Sequence, residues 1–387
     1  MVSTKAKPLV RSAKVKTTTT KPGLPGQVVL VMQGGGALGA FQAGVYEALH
    51  EAEIEPDWVV GTSIGAINGA IIAGNARANR VARLKAFWNL VASGALSSAQ
   101  WNAFGSGNLM HKLGALANGI PGFFAPNPRA WLGTEARLGV DEASFYSTAP
   151  LRRTLAELVD FDYLARGATR LTLGAVNVRS GRMRYFDSRD KAMTLDHVMA
   201  SGALPPAFPA VMIDGEPYWD GGIYSNTPIE VVMDDNPRRN SVIFADQLWQ
   251  QEGEAPQSIA QVLSRHKDIQ YSSRAESHTA RQQQIHQLRH VVRELGNLLP
   301  DKLRATPQVR ELLGWGCGTV VHLLSLRAPA LEGEDQSKDL DFTQGGIHVR
   351  WRAGHAFARR LLAAAPWEQP VDPAVGIVVH ELEAQAN

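Results

Sequence analysis

The chain has 387 residues, 44% hydrophobic and 20% charged, with a formal net charge of +2, enough apolar mass to bury one large core with an extension. Cys317 is the only cysteine, which excludes an intramolecular disulfide, and no run of about eighteen uncharged apolar residues exists, which excludes a membrane-spanning helix. The composition suits a soluble protein of the cytoplasm.

Six cations (Lys5, Lys7, Arg11, Lys14, Lys16 and Lys21) and no acid fall within residues 1–26, leaving the remainder at −4. With Thr17–Thr20 and two Pro-Gly breaks, the segment reads as a disordered basic tail without an apolar signal core. Beside a plain solvated tail, the functional reading is peripheral contact with an anionic surface such as phospholipid head groups. Val28-Val29-Leu30-Val31-Met32 then reads as a buried strand, followed by Gln33-Gly34-Gly35-Gly36-Ala37-Leu38-Gly39 and a helix. Phe41, Val45 and Leu49 form that helix's buried face, and it stops before Pro56.

A glycine-rich loop between a strand and a helix N-terminus leaves backbone N–H groups free to face an anion. Gly34, Gly36 and Gly39 satisfy GxGxxG, yet a dinucleotide site needs an acid at the carboxyl end of the second strand, and Glu55 and Asp57 precede that strand. The favoured reading is an oxyanion hole, with a plain tight turn as the alternative. At the end of the second strand, Trp58-Val59-Val60, stands Gly61-Thr62-Ser63-Ile64-Gly65, the form of a nucleophile elbow.

Between Ser93 and Trp131 runs a glycine-rich stretch with Trp101, Phe104, Leu109, Met110, Leu113, Leu116, Ile120, Phe123 and Phe124. It reads as a mobile apolar lid or acyl channel, or alternatively as a loop packed into the core; Phe123 and Phe124 are candidates for substrate contact. Ala200–Pro209 is a proline-bearing loop of fixed shape. In Tyr218-Trp219-Asp220-Gly221-Gly222, Asp220 is a candidate base for Ser63, with Tyr218 and Trp219 as its expected apolar cover.

Further on, Val242–Ala245 reads as a strand and residues 258–299 as a long helix packed through Ile285, Leu288, Val292 and Leu295. A strand over 319–326 follows, then a final helix with Ile347, Trp351, Gly354, Ala358 and Leu361 on one face. A Ser-His-Asp arrangement would draw its histidine from the residues after Asp220. His266, His278, His286, His290, His348, His355 and His380 read mostly as solvated, and His322 as a core or strand residue. There is no internal repeat, metal-ligand cluster or nucleic-acid motif.

The sequences GGGALG, GTSIG and DGG in this order, with GTSIGAINGA and ASGALPPAFP between them, make residues 27–246 resemble the patatin-like phospholipase family. The resemblance implies an α/β fold of three layers, a mostly parallel central sheet with helices on both faces. It implies Ser63 as nucleophile, Asp220 as its partner in a two-residue dyad, an oxyanion hole of Gly34, Gly35 and Gly36, and no metal or cofactor. The implied activity is serine-dependent hydrolysis of phospholipid or related lipid acyl esters. Transfer of the acyl group to another acceptor, cleavage of a hydroxyalkanoate oligomer, and the Ser-His-Asp hydrolase stand as alternatives. Leu38 departs from the pattern, since many members carry Arg or Lys there, so a phosphate-holding charge is missing; it is the third candidate for substrate contact. Residues 247–387 resemble the mainly helical extension of a bacterial subset, expected to dock on the core or to form a dimer contact.

Overall fold

The computed structural model describes residues 23–93, 117–331, 334, 337–369, 371–372 and 375–382. The basic tail through residue 22 and the part of the apolar stretch from 94 to 116, Trp101 to Leu116 included, lie outside the described residues.

Strands follow in chain order as β1 (Gln27–Met32), β2 (Trp58–Gly61), the short β3 (Ala125–Pro126) and β4 (Tyr146–Ser147), β5 (Arg170–Asn177), β6 (Met183–Asp187), β7 (Val211–Ile213) and β8 (Glu216–Asp220). The last three are β9 (Ser241–Gln247), β10 (Val321–Arg327) and β11 (Ile377–Glu381). β3 and β4 form a small separate pair. The main sheet has the order β11-β10-β9-β1-β2-β5-β8-β7, with β6 also on β5. All pairs from β11 to β5 are parallel, whereas β6, β8 and β7 join by antiparallel pairing.

Both faces of β1 are covered, which is why it reads as an unbroken apolar run rather than an alternation. Val28, Leu30 and Met32 enter one core with Phe41, Val45 and Leu49 of helix α1 (Ala40–Glu51) and Ile64, Ile67 and Ile71 of helix α2 (Ile64–Ala73). Val29 and Val31 enter the other, with Ile229, Val232 and Ile243. The result is the expected three-layer α/β arrangement. Its topology reverses between β1 and β9, so the loops leaving their carboxyl ends border a crevice suited to a ligand.

The C-terminal part does more than pack on this layer. β10 and β11 continue the same parallel sheet beyond β9, and β11 is a strand the sequence reading did not include. The helix Gln344–Ala364 lies along α1, as its apolar face predicts, burying Ile347, Gly354, Ala358 and Leu361. A Cβ at Gly354 would overlap the Phe41 carbonyl, and one at Gly44 the Trp351 carbonyl, so the two helices touch backbone to backbone. Gly354→Ala is expected to lower stability by about 3 kcal/mol in urea unfolding, the upper end of overpacking. A loss below about 1 kcal/mol would mean that the crossing gives way easily.

The long helix Ile259–Leu298 corrects one expectation. Leu288 and Leu295 are 64% and 57% exposed, and the buried face instead carries Gln282, His286 and His290. Both imidazole Nε2 atoms stand 2.9 Å from the Thr319 carbonyl, just before β10. A part-buried carbonyl at the start of β10 needs donors, and this need orients the helix more strongly than its leucines do. Nor are these two histidines solvated. His322 lies buried in β10 as expected, its Nδ1 3.0 Å from His380 Nε2 on β11.

Candidate active site

The register of β5 brings the two ends of the site together. Thr172 and Leu173 pair with β2 on one edge and β6 on the other; Ala175 and Val176 pair with β6 and β8. β2 and β8 therefore share one edge of β5, end to end and in opposite directions. Gly61, the last residue of β2, pairs with Leu173, and Asp220, the last of β8, pairs with Ala175. The chain leaving β2 must turn past Asp220.

It does so at Ser63, whose φ of 56° and ψ of −123° make it the strained corner before α2. A Cβ at Gly65 would strike the Met32 carbonyl, so only glycine lets α2 start this close to β1. The Ser63 amide donates to the Ser201 carbonyl at 3.1 Å, which pins the corner. The Ser201 hydroxyl donates to the Gly174 carbonyl at 2.7 Å.

Asp220 is 1% exposed. Burial pushes its carboxyl up to about 7, with the Ser63 hydroxyl and the Gly222 amide opposing the shift. The Gly222 amide donates to Asp220 Oδ1 at 2.7 Å. Tyr218 and Trp219 do not line the pocket, whereas Tyr271 of the long helix does.

Of the three glycine amides, that of Gly34 is spent inside the protein, donating to the Asn226 carbonyl at 3.3 Å. Its carbonyl accepts from Asn226 Nδ2 at 3.1 Å and from Trp249 Nε1 at 2.8 Å. The amides of Gly35 and Gly36 have no acceptor among the described residues. The loop is thus held rigidly at Gly34 and offers its next two N–H groups to a ligand.

Gly34, Gly35, Gly36, Ser63 and Asp220 line one pocket of about 180 Å³. Phe123 and Phe124 line it too, packed with Phe208, Tyr146 and Phe342 at ring-centroid distances of 4.9–6.2 Å. The proline-bearing loop adds Leu204, Ala207 and Phe208. Leu38 is not there: it faces a separate small cavity with Phe41, Leu248 and Arg350, because the short turn Gly36–Gly39 points it into the core beside α1. Among the described residues the pocket lining includes no lysine, arginine or histidine. Among the described residues no group of three or more His, Cys, Asp or Glu side chains is placed to hold a metal.

Sequence reasoning missed Asn226, Trp249, Tyr271, Asp339, Leu340 and Phe342, which also line the pocket. Asn226 closely follows the DGG run and could have been weighed with it. The last five lie in the C-terminal part or at its border, where no motif marks them.

Comparison with known proteins finds matches at the level of the family. A family model described as patatin-like phospholipase matches residues 30–233, and a second, described as patatin phospholipase, matches residues 269–374. A segment of 49 residues is 57% identical to lysophospholipase nte1 of Aspergillus terreus, covering 13% of this chain and 3% of that protein. Among solved structures, VipD from Legionella pneumophila aligns over 89% of this chain and 68% of its own, with 15% identity and a TM-score of 0.38. The type III effector ExoU of Pseudomonas aeruginosa aligns over 88% of this chain and 53% of its own, with 13% identity and a TM-score of 0.33.

Proposed function

This chain belongs to the patatin-like phospholipase family, and from that premise we propose that it hydrolyses lipid acyl esters through Ser63 and Asp220. The observation that carries the reading is the convergence, at the end of one apolar pocket, of a strained serine, a buried carboxyl and two amides without acceptors.

In this reading Asp220 takes the hydroxyl proton as Ser63 Oγ bonds the acyl carbon. The carbonyl oxygen becomes an oxyanion, held by the Gly35 and Gly36 amides and favoured by the N-terminus of α2. Collapse expels the alcohol, which leaves with the proton from Asp220, and the acyl group stays on Ser63. Water, deprotonated by Asp220, then attacks the acyl carbon, and the fatty acid departs as Ser63 regains its proton. Among the described residues no histidine lines the pocket, and Asp220 is the base beside Ser63. An acyl chain suits the aromatic walls, and no lysine or arginine among the described residues lines the pocket to meet a charged head group.

The test is labelling with a fluorophosphonate followed by peptide mass spectrometry, together with a lipid panel analysed for free fatty acid and for acyl transfer to added alcohol. Modification at Ser63 and release of free fatty acid are expected. Label on another residue, or none, would overturn the assignment of the nucleophile.

A further inference from the structure

The segment from Ser337 to Phe342 belongs to the C-terminal part, yet it lies across the glycine loop. The Asp339 carbonyl sits against the Cα of Gly36, and Asp339, Leu340 and Phe342 all line the pocket. Phe342 is 3% exposed, its ring 5.4 Å from Phe123 and stacked 6.4 Å from Trp88. It is therefore part of the aromatic wall and not a surface cover.

Three ionic contacts hold this strap. Lys338 donates to Asp268 of the long helix at 2.7 Å, and both side chains are over nine-tenths buried. Lys267 of the same helix pairs with Asp339 at 2.8 Å. Arg350 of the C-terminal helix pairs with Asp341 at 3.2 Å. Lys338 also lies 5.5 Å over the ring of Trp249, the residue that fixes the Gly34 carbonyl. A buried ion pair gives little net stability but loses much when one partner is removed, so its usual consequence is one fixed arrangement of what it joins.

From these contacts we infer that the strap is the acyl-length selector of the site: Phe342 limits the room for the chain, and the Lys338–Asp268 pair positions it. An apolar cavity of roughly 150 Å³ holds benzene, so a pocket of about 180 Å³ takes roughly six to eight acyl carbons. Longer chains must leave their tails in water or force the wall apart. The inference rests on the esterase reading above for its substrate class, and its test keeps the two separable.

The experiment measures kcat/KM for nitrophenyl esters from acetate to dodecanoate, and in parallel the binding of hexanol, octanol and dodecanol to the Ser63→Ala protein by calorimetry. Wild-type kcat/KM should peak at six to eight carbons, roughly the size of the cavity, and alcohol affinity should stop rising there. Phe342→Ala should raise the dodecanoate-to-hexanoate ratio about tenfold or more, the effect of about two extra buried methylenes. Phe342→Leu serves if the alanine variant does not fold. Lys338→Met should shift the ratio in the same direction, and Lys338→Arg, which keeps the charge, should bring it back. A ratio unmoved by both Phe342 variants, or alcohol affinity still rising through dodecanol in the Ser63→Ala protein, overturns the inference. Chain-limited alcohol binding without Ser63-dependent turnover would instead overturn the esterase reading and leave the selector standing.

Discussion

Ser63→Ala is expected to lower hydrolysis of nitrophenyl hexanoate by about 10⁴-fold or more, with thermal unfolding unchanged. The size follows from the chemistry: without Oγ no acyl-enzyme forms, and the remaining amides can only assist direct attack by water. The neighbouring Ser201 is no substitute, since its hydroxyl already donates to the Gly174 carbonyl. Alanine keeps the same Cβ at the same φ of 56°, so the corner is neither relieved nor strained further. Ser63→Gly provides a contrast, as inactive as alanine but more stable by roughly 1 kcal/mol, because glycine occupies that region without penalty. Steady-state kinetics beside calorimetric melting decides it, and residual activity within tenfold of wild type would remove Ser63 from the mechanism.

The second large effect is that of Asp220→Asn, a loss of about 10³-fold in kcat/KM together with the acid limb of its pH profile. Burial holds the Asp220 carboxyl at about 7 in the folded protein. The base must be deprotonated to act, so wild-type kcat/KM should fall tenfold per pH unit below about 7. The stability effect has the opposite sign. A carboxyl whose folded pKa lies above its unfolded one binds its proton more tightly when folded, so its contribution favours the acidic side and is lost as pH rises through that window. Asp220→Asn should therefore unfold at higher denaturant than wild type at pH 8, despite its lost activity. Asp246, buried and also raised, adds a slope of the same sign, which the comparison between the two proteins cancels. A variant that is both less active and less stable at pH 8 would point to a structural role for the carboxylate.

The geometry of the elbow and the glycine loop was legible because its requirements are local. A strand, two glycines around Ser63, and a helix suffice to describe the elbow, and Gly34-Gly35-Gly36 announces free amides by composition alone. The division of labour among those amides was not legible: which one is consumed depends on the Asn226 carbonyl, delivered from a segment distant in sequence. Leu38 misled for a related reason, since the side chain of a short turn points wherever the next helix needs it. Beyond residue 247, periodicity located the long helix but chose the wrong face, because the partners of His286 and His290 are set by the Thr319 carbonyl and not by leucine spacing. Phe342 carries no local signal at all; its place follows from ion pairs to helices on either side of it in sequence.

The position of β9 inside the sheet has a consequence for synthesis. Its apolar Val242–Ala245 run is covered by β1 on one edge and β10 on the other. While the chain emerges from the ribosome, the first edge is satisfied at once and the second stays bare until about seventy further residues are made, roughly 4–15 s at ordinary elongation rates. Throughout that interval the nascent protein already holds Ser63, Asp220 and the glycine loop, yet leaves open the apolar Val242–Ala245 edge of β9, of the kind that recruits another chain. The C-terminal strands thus close an edge that the motif-bearing part of the chain leaves open.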